Sequence, residues 1–135
     1  MNVYCVPVEA VNSVWNTVGV LLEKALTKND TEYDLNDVKT AIATGKWKLF
    51  VSVNENDEIH GAAVVSFLTY PKTHVAFIPC LGGKMLINQE CFNKFKDLLK
   101  SYGADRIQGY VNDSIERLYK RINLFRKAAL VEMKI

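Results

Sequence analysis

Residues 46–78 are KWKLFVSVNENDEIHGAAVVSFLTYPKTHVAFI, and the architecture expected for the whole chain follows from them. Apolar residues alternate with others from Lys46 to Asn54, which predicts a strand, and Asn54–Asp57 has the composition of a hairpin turn. The next strand, Ile59–Leu68, is apolar on both faces, so we expect it in the middle of a sheet. After the break at Tyr70–Lys72, Val75–Ile78 predicts a further buried strand. Together these strands predict a three-strand antiparallel meander.

Two residues interrupt this regular pattern. Gly61 lies inside the second strand, where glycine indicates a bulge or a close approach of another backbone. Pro79 follows the third strand and has no N–H to donate to a ladder. We therefore expect Pro79 to end that strand, and the strand that pairs with it later in the chain to separate from it after Phe77, leaving a slot.

The residues on either side of the meander predict alternating helices and strands. Those before it predict a strand at Asn2–Val8, a helix from Val11 to the turn at Lys28–Asp30, and a second helix that Asp34 caps and Gly45 ends. Those after it predict a helix that contains Ile87 and ends at Gly103, a strand at Arg106–Val111, a helix at Ser114–Ile122 and a strand at Ala128–Ile135. This order predicts an α/β fold, with a mixed sheet and helices on both faces.

Length and composition limit the class of protein. The 135 residues suit a single domain spanning residues 1–135, and the net charge of +2 does not favour a general nucleic-acid binder. The longest apolar runs are far shorter than a membrane span, and the first residues lack a basic signal region, so we expect a cytoplasmic protein. Three cysteines and two histidines at these spacings favour neither a disulfide framework nor a metal site.

Asn112, Tyr119 and Asn123 follow one another at offsets of seven and four residues near the last predicted helix. This pattern and the order of elements resemble the GNAT superfamily of N-acetyltransferases, in which Asn ends the fifth strand, Tyr follows and Gly comes last. Asn123 replaces that Gly, and Asn is the next residue to tolerate left-handed backbone. The resemblance implies that Tyr119 is the general acid that protonates the leaving thiolate of coenzyme A. The alternative is a core tyrosine on the apolar face of the helix.

A glycine-containing stretch, Ile78-Pro79-Cys80-Leu81-Gly82-Gly83-Lys84-Met85, stands between the third meander strand and the next predicted helix. In the family this junction binds the pyrophosphate of acetyl-CoA with backbone N–H groups at the start of the helix. The resemblance therefore implies an acetyl-CoA site, with polarising backbone N–H groups near Phe77 and Ile78. Its implied cofactor-binding residues are Phe77, Ile78, Cys80, Leu81, Gly82, Gly83, Lys84, Met85 and Asn112. The pattern is degenerate, and a glycine-rich turn before a helix is the alternative interpretation.

Other residues with reactive side chains have two interpretations each. His60, His74 and Glu132 are candidates for the general base, or else solvated residues. Cys80 beside a helix start would have a lowered pKa and could act as a nucleophile, although a small packing residue is the favoured interpretation. A basic cluster near the last helix could contact a phosphate or an acidic partner, or form a solvated face: Arg117, Lys120, Arg121, Arg126 and Lys127.

The chain is also similar, more narrowly, to small GNAT-like proteins of tailed bacteriophages. The likeness lies in Trp47–Val53, Tyr70-Pro71 and Leu81–Gly83. It implies a viral protein of the host cytoplasm or the virion. Two functions follow from the resemblances: an acetyl-CoA-dependent N-acetyltransferase acting on a small-molecule or protein amine, or a non-catalytic phage structural or accessory protein. Neither resemblance specifies the acceptor amine or the oligomeric state.

Overall fold

Five strands form one sheet whose spatial order is also the order of the strands in the chain. The structure, a computed structural model, describes residues 2–28, 32–85, 89–110 and 113–135. The strands are β1 (Asn2–Val6), β2 (Lys48–Val53), β3 (Ile59–Thr69), β4 (His74–Gly83) and β5 (Arg106–Gln108). The helices are α1 (Val11–Lys28), α2 (Leu35–Ala43), α3 (Gln89–Ser101) and α4 (Asp113–Lys120), and a 3-10 turn at Val8–Ala10 precedes α1.

The sheet is mixed, as the element order predicts. β1 to β4 pair antiparallel, whereas β5 lies parallel to β4 because α3 connects them and carries the chain back along the sheet. The hairpin between β2 and β3 is also confirmed: Asn54 N–H donates to the carbonyl of Glu58 over 2.9 Å. The α/β class with a mixed sheet is therefore confirmed.

Both faces of the sheet are covered, and β3 shows why its sequence is apolar throughout. Ala63 and Val65 belong to one buried cluster, here called the α3-side core, together with Phe50, Phe92, Phe95 and Leu99. Ala62 and Val64 belong to the opposite cluster, the α1-side core, together with Val18, Leu22, Val38, Ile42 and Leu49. Successive residues of a strand point to opposite faces, so a central strand needs apolar residues at every position.

The helix ends follow local chemistry. Asp34 and Asp37 form a capping box at the start of α2, in which each backbone N–H donates to the other carboxylate over 2.9 Å. Gly45 ends α2 with φ 81°, and Gly103 follows α3 with φ 94°. Asn123, in the position of the family's glycine, has φ 66° after α4, so its left-handed conformation is confirmed.

The prediction that Pro79 ends β4 is wrong, because β4 continues to Gly83. Opposite it, Val64 pairs with Cys80 and Ser66 with Phe77. Ile78 and Pro79 therefore face a single residue of β3, which is a β-bulge. A bulge leaves one residue outside the ladder, and a proline, which has no N–H, is tolerated there.

Other boundaries also differ from the predicted ones. β1 ends at Val6 and β5 at Gln108, and Ile87 lies outside the described residues. The strand predicted at Ala128–Ile135 is wrong: these residues are described, but they form no strand and pair with nothing in the sheet. None of the described helices is long and apolar enough to cross a membrane.

Candidate functional site

The ladder between β4 and β5 is short and stops beside the bulge. Its pairs are Val75–Arg106, Ala76–Ile107 and Phe77–Gln108, and no later pair forms among the described residues. The predicted end of pairing after Phe77 is therefore confirmed. Val111, further along the predicted strand, lies outside the described residues. An interruption between parallel strands leaves backbone groups of both strands without ladder partners at that point.

Aromatic side chains gather around this point. The rings of Phe77 and Tyr110 meet edge to face with centroids 5.3 Å apart. Tyr33, in the connection between α1 and α2, donates its hydroxyl to the carbonyl of Pro79 over 3.4 Å, and its ring meets that of Trp47 at 5.3 Å. Sequence reasoning missed Tyr33 because it lies in a connection where no periodicity marks a residue. It missed Tyr110 because the predicted strand Arg106–Val111 included it as an ordinary strand residue, whereas β5 ends at Gln108.

The hydroxyl of Tyr33 holds its proton firmly. Burial raises its pKa above the usual value, and the nearby Cys80, Glu32 and Tyr110 raise it further. Burial and the nearby carboxylate of Glu32 both disfavour a negative charge on the Tyr33 oxygen. Tyr33 can therefore donate a hydrogen bond at neutral pH, but it cannot act there as a base.

Tyr119 lies in the last turn of α4, partly buried against the α3-side core, on which Ile78 and Leu81 of β4 also pack. Its carbonyl accepts the N–H groups of Ile122 and Leu124, which ends the helix. Burial raises the pKa of the Tyr119 phenol, and the proximity of Cys80 adds to this. The phenol is protonated at neutral pH, which is the state a general acid requires. Both interpretations of Tyr119, the acid and the core residue, are compatible with this position.

Cys80 is a packing residue. It is 5% exposed in the α1-side core, and its thiol donates to the carbonyl of Leu22 over 3.6 Å. Burial raises its pKa to about 12, so the expectation of a lowered pKa is wrong. The reason is that Cys80 lies inside β4 and not at the start of a helix. A thiol in this state is not a nucleophile at neutral pH.

The glycines of the predicted phosphate loop are occupied by contacts within the chain. Leu81, Gly82 and Gly83 belong to β4 and pair with β3, so the prediction of a loop is wrong for these residues. A Cβ on Gly82 would run into the backbone carbonyl of Leu21 in α1, and one on Gly83 into that of His60. Gly83 also has φ 70°, which favours glycine.

The two residues after Gly83 continue this packing. Lys84 donates its N–H to the carbonyl of His60 over 2.8 Å, and its side chain is exposed. Met85 is fully buried in the α3-side core. Residues 86–88, which lead into α3, and Asn112 lie outside the described residues. The cofactor role of residues 80–85 and of Asn112 stays a prediction.

The residues around the end of the β4–β5 ladder can be compared with the parts of acetyl-CoA that they would have to bind. The β4–β5 ladder ends at Phe77–Gln108, and Gly109 still lies against β4, since a Cβ added to it would be 3.3 Å from the carbonyl oxygen of Ile78. Gly82 and Gly83 do not suit a pyrophosphate, because their small size accommodates the chain's own carbonyl groups. A positive charge for the phosphates remains at Lys84, whose side chain is exposed.

None of the three residues considered as a general base, His60, His74 and Glu132, is shown beside the end of the β4–β5 ladder. His74 begins β4 and is exposed, and the five residues to Pro79 span about 17 Å. His60 is the extra residue of a bulge against β2, and its Nε2 has no partner among the described residues. Burial, and then Lys84, lowers the pKa of His60. Glu132 is exposed outside the sheet.

The basic cluster is partly neutralised. The guanidinium of Arg126 makes two bonds to Glu116, from Nε to Oε1 over 3.0 Å and from Nη2 to Oε2 over 2.8 Å. These bonds hold the pKa of Glu116 below its usual value. Arg117, Lys120, Arg121 and Lys127 are exposed, as a solvated face requires.

Comparison with known proteins agrees on the fold. No family model and no curated protein matches the chain. Three solved structures superpose over almost its whole length. A "probable acetyltransferase" has a TM-score of 0.70 at 9% identity, covering 100% of this chain and 97% of its own. An aminoglycoside acetyltransferase from an uncultured soil metagenomic sample, in complex with sisomicin, has 0.69 at 14%, covering 99% and 94%. A "possible acetyltransferase" from Clostridium difficile 630 has 0.65 at 11%, covering 99% and 97%.

Identities this low carry the fold and leave the chemistry open. This chain's strand order, its parallel β4–β5 pair and its helices on both faces belong to a fold that superposes on the probable acetyltransferase over 100% of the chain. The protein therefore has the GNAT fold, the fold of these acetyltransferases.

Proposed function

We propose that this protein is an acetyl-CoA-dependent N-acetyltransferase that acts on an amine. The observation that carries the proposal is the end of the β4–β5 ladder at Phe77–Gln108, in a chain whose structural relatives are acetyltransferases. In this proposal the pantetheine chain of acetyl-CoA lies beside the end of that ladder. Backbone N–H groups near Phe77 and Ile78 polarise the thioester carbonyl.

The reaction moves an acetyl group from sulfur to nitrogen. The amine nitrogen forms a bond to the thioester carbon, the carbon–sulfur bond breaks, and the amine proton passes to solvent water. The departing thiolate takes a proton from a donor within reach, and we assign that donor to Tyr119. Support comes from its burial and its raised pKa, because a phenol that stays protonated can release its proton to a thiolate formed beside it.

The sequence predicted that backbone N–H groups of the glycine-containing stretch bind the phosphates of acetyl-CoA, and we propose a different group. The N–H group of Lys84 is already bonded within the chain, so we assign the phosphates to its exposed ammonium group. The proposal does not depend on Gly82 and Gly83, whose small size the packing of α1 and β3 explains.

Tyr119→Phe tests the assigned acid. Acetyl transfer to a panel of amines, measured as release of free coenzyme A thiol, is expected to slow at least tenfold, which is about 1.4 kcal/mol of barrier. Acetyl-CoA affinity is expected to change little, because the lost contact matters in the transition state. Tyr102→Phe is the matched control, since Tyr102 lies 46% exposed at the end of α3, and it is expected to retain the parental rate. Equal rates for Tyr119→Phe and the parent would remove Tyr119 from the mechanism.

The second candidate is a GNAT-like protein without catalysis, and the filled glycine positions favour it. If Gly82 and Gly83 serve packing alone and Tyr119 is a core residue, the fold is retained without its cofactor site. The narrower resemblance to phage proteins stays a prediction under this candidate, with a structural or accessory role in the host cytoplasm or the virion. Tyr119→Phe would then cost about 1 kcal/mol of stability, with no turnover in either form.

A further inference from the structure

A cleft of about 280 Å³, here called the β1–β2 cleft, lies where β1 ends and β2 begins. Val6 and Leu49 form the last pair of the β1–β2 ladder at this end. The chain leaves β1 through Pro7, which has no N–H to continue the ladder. It enters β2 through Trp47, whose N–H donates to the carbonyl of Ala41 in α2 over 3.1 Å. Because the ladder stops here, a space remains between the two connections.

The lining of the β1–β2 cleft is mainly apolar. Ile42 and Leu49 belong to the α1-side core and are buried, Val6 and Trp47 are half-buried, and Val8 is 51% exposed. This gradation from buried to exposed side chains describes an apolar site that is open to solvent on one side. Sites for small molecules have volumes of about 300 Å³ and more, so a cleft of this size suits a small ligand.

One cation, Lys48, belongs to this apolar lining. The described residues that line the cleft include no other lysine, no arginine and no carboxylate. The ammonium nitrogen of Lys48 lies 5.9 Å from the centroid of the Tyr102 ring, and Lys48 forms no ion pair with any described residue. Glu9, next to Val8 in the chain, does not line the cleft. The cleft therefore combines an apolar surface with one uncompensated positive charge.

The β1–β2 cleft is separate from the site proposed for acetyl transfer. The β1–β2 pair and the β4–β5 pair are three strand spacings apart in the sheet, which is about 14 Å. Tyr33, Phe77 and Tyr119 do not line the cleft. A ligand of the cleft is therefore a second ligand of the protein, beyond acetyl-CoA and the acceptor amine.

We propose that the β1–β2 cleft binds a small apolar carboxylic acid, with its hydrocarbon part against Val6, Val8 and Trp47 and its carboxylate on the ammonium of Lys48. Burial of the hydrocarbon part supplies the affinity, and the ion pair selects an anion. A carboxylate matches the single charge of Lys48. A phosphate group, with a charge of about −1.5 to −2, would leave part of its charge without a partner.

The test is a titration with octanoate, followed by the indole N–H resonances in NMR spectra of the protein labelled with nitrogen-15. The resonance of Trp47 is expected to shift until it saturates. Trp15 of α1, the other tryptophan, does not line the cleft and is expected to keep its position. Octanamide has the same length and no charge, and it is expected to bind about fivefold more weakly, the most that an exposed ion pair contributes.

Two substitutions test the assigned contacts. Lys48→Met removes the charge and is expected to lower the affinity for octanoate to that for octanamide. Val8→Glu is expected to weaken octanoate binding further, because the new carboxylate would pair with Lys48 and repel the ligand. Val20→Glu is the matched control: Val20 is 54% exposed on α1, close to the 51% of Val8, and the variant is expected to bind as the parent does.

Three results would overturn the proposal. The first is a folded parent protein whose Trp47 resonance does not shift at millimolar octanoate. The second is equal affinity for octanoate and octanamide, which would mean that Lys48 selects no anion. The third is octanoate binding that both Lys48→Met and Val8→Glu leave unchanged, which would place the ligand outside the β1–β2 cleft.

Discussion

Gly82→Ala is expected to destabilise the protein, because α1 lies directly on β4 at this residue. A Cβ added to Gly82 would overlap the backbone carbonyl oxygen and carbon of Leu21, and a helix backbone cannot move aside as the end of a side chain can. Gly82 does not have a positive φ, so the cost is steric and not conformational. Overpacking of this kind costs about 1–3 kcal/mol.

The size of the effect follows from the length of the chain. For a domain of 135 residues, 1 kcal/mol corresponds to a shift in Tm of about 3–5 °C. Taking the middle of the range, about 2 kcal/mol, we expect Gly82→Ala to lower Tm by roughly 6–10 °C. Thermal unfolding followed by circular dichroism, and urea titration, measure the change independently.

Gly19→Ala is the matched control within α1. A Cβ at Gly19 would lie 3.5 Å from Leu35 Cδ2, an ordinary contact. The same substitution is therefore expected to stabilise the protein by about 0.5–1 kcal/mol through helix propensity. If Gly82→Ala kept the parental stability but weakened acetyl-CoA binding, Gly82 would belong to an open cofactor cradle, and the packing explanation would be refuted.

Two further substitutions test the chemistry of buried and capping groups. Burial raises the pKa of Cys80 from 9.0 to about 12, so the folded protein keeps a proton that the unfolded chain releases above pH 9. The contribution of this proton to the free energy of unfolding is therefore complete below pH 9 and is lost as the pH rises toward 12. Cys80→Ala is expected to flatten the fall in urea midpoint between pH 9 and 11, and an unchanged slope would contradict a buried, protonated thiol. Asp34→Ala removes one half of the α2 capping box and is expected to cost about 1 kcal/mol in urea unfolding, whereas no loss would mean that the box contributes nothing.

The meander was predictable from the sequence because alternation and turn chemistry are local. Trp47–Val53, the Asn54–Asp57 turn and the two-faced apolar run of β3 specify neighbouring strands without long-range information. Helix ends were predictable for the same reason, as Asp34 and Gly103 show. The position of the β4–β5 interruption also followed from one residue, Pro79.

What could not be predicted depends on contacts between distant parts of the chain. Gly82 and Gly83 suggested a phosphate loop, but α1 and β3 occupy the space beside them, 61 and 23 residues away in the chain at Leu21 and His60. Cys80 was expected near a helix start, and only the continuation of β4 through a bulge places it in a core. The strand expected at Ala128–Ile135 has the right composition, but a strand also needs a partner edge, which composition does not show.

The most direct test of the proposed function is calorimetric titration of the protein with acetyl-CoA. We expect saturable binding with one site per chain, and weaker binding by Lys84→Ala, which removes the charge assigned to the phosphates. Lys72→Ala, at an exposed position between β3 and β4, is the control and is expected to bind as the parent does. The absence of measurable heat at millimolar acetyl-CoA, from a chain that circular dichroism shows to be folded, would contradict the proposal and favour a GNAT fold without catalysis.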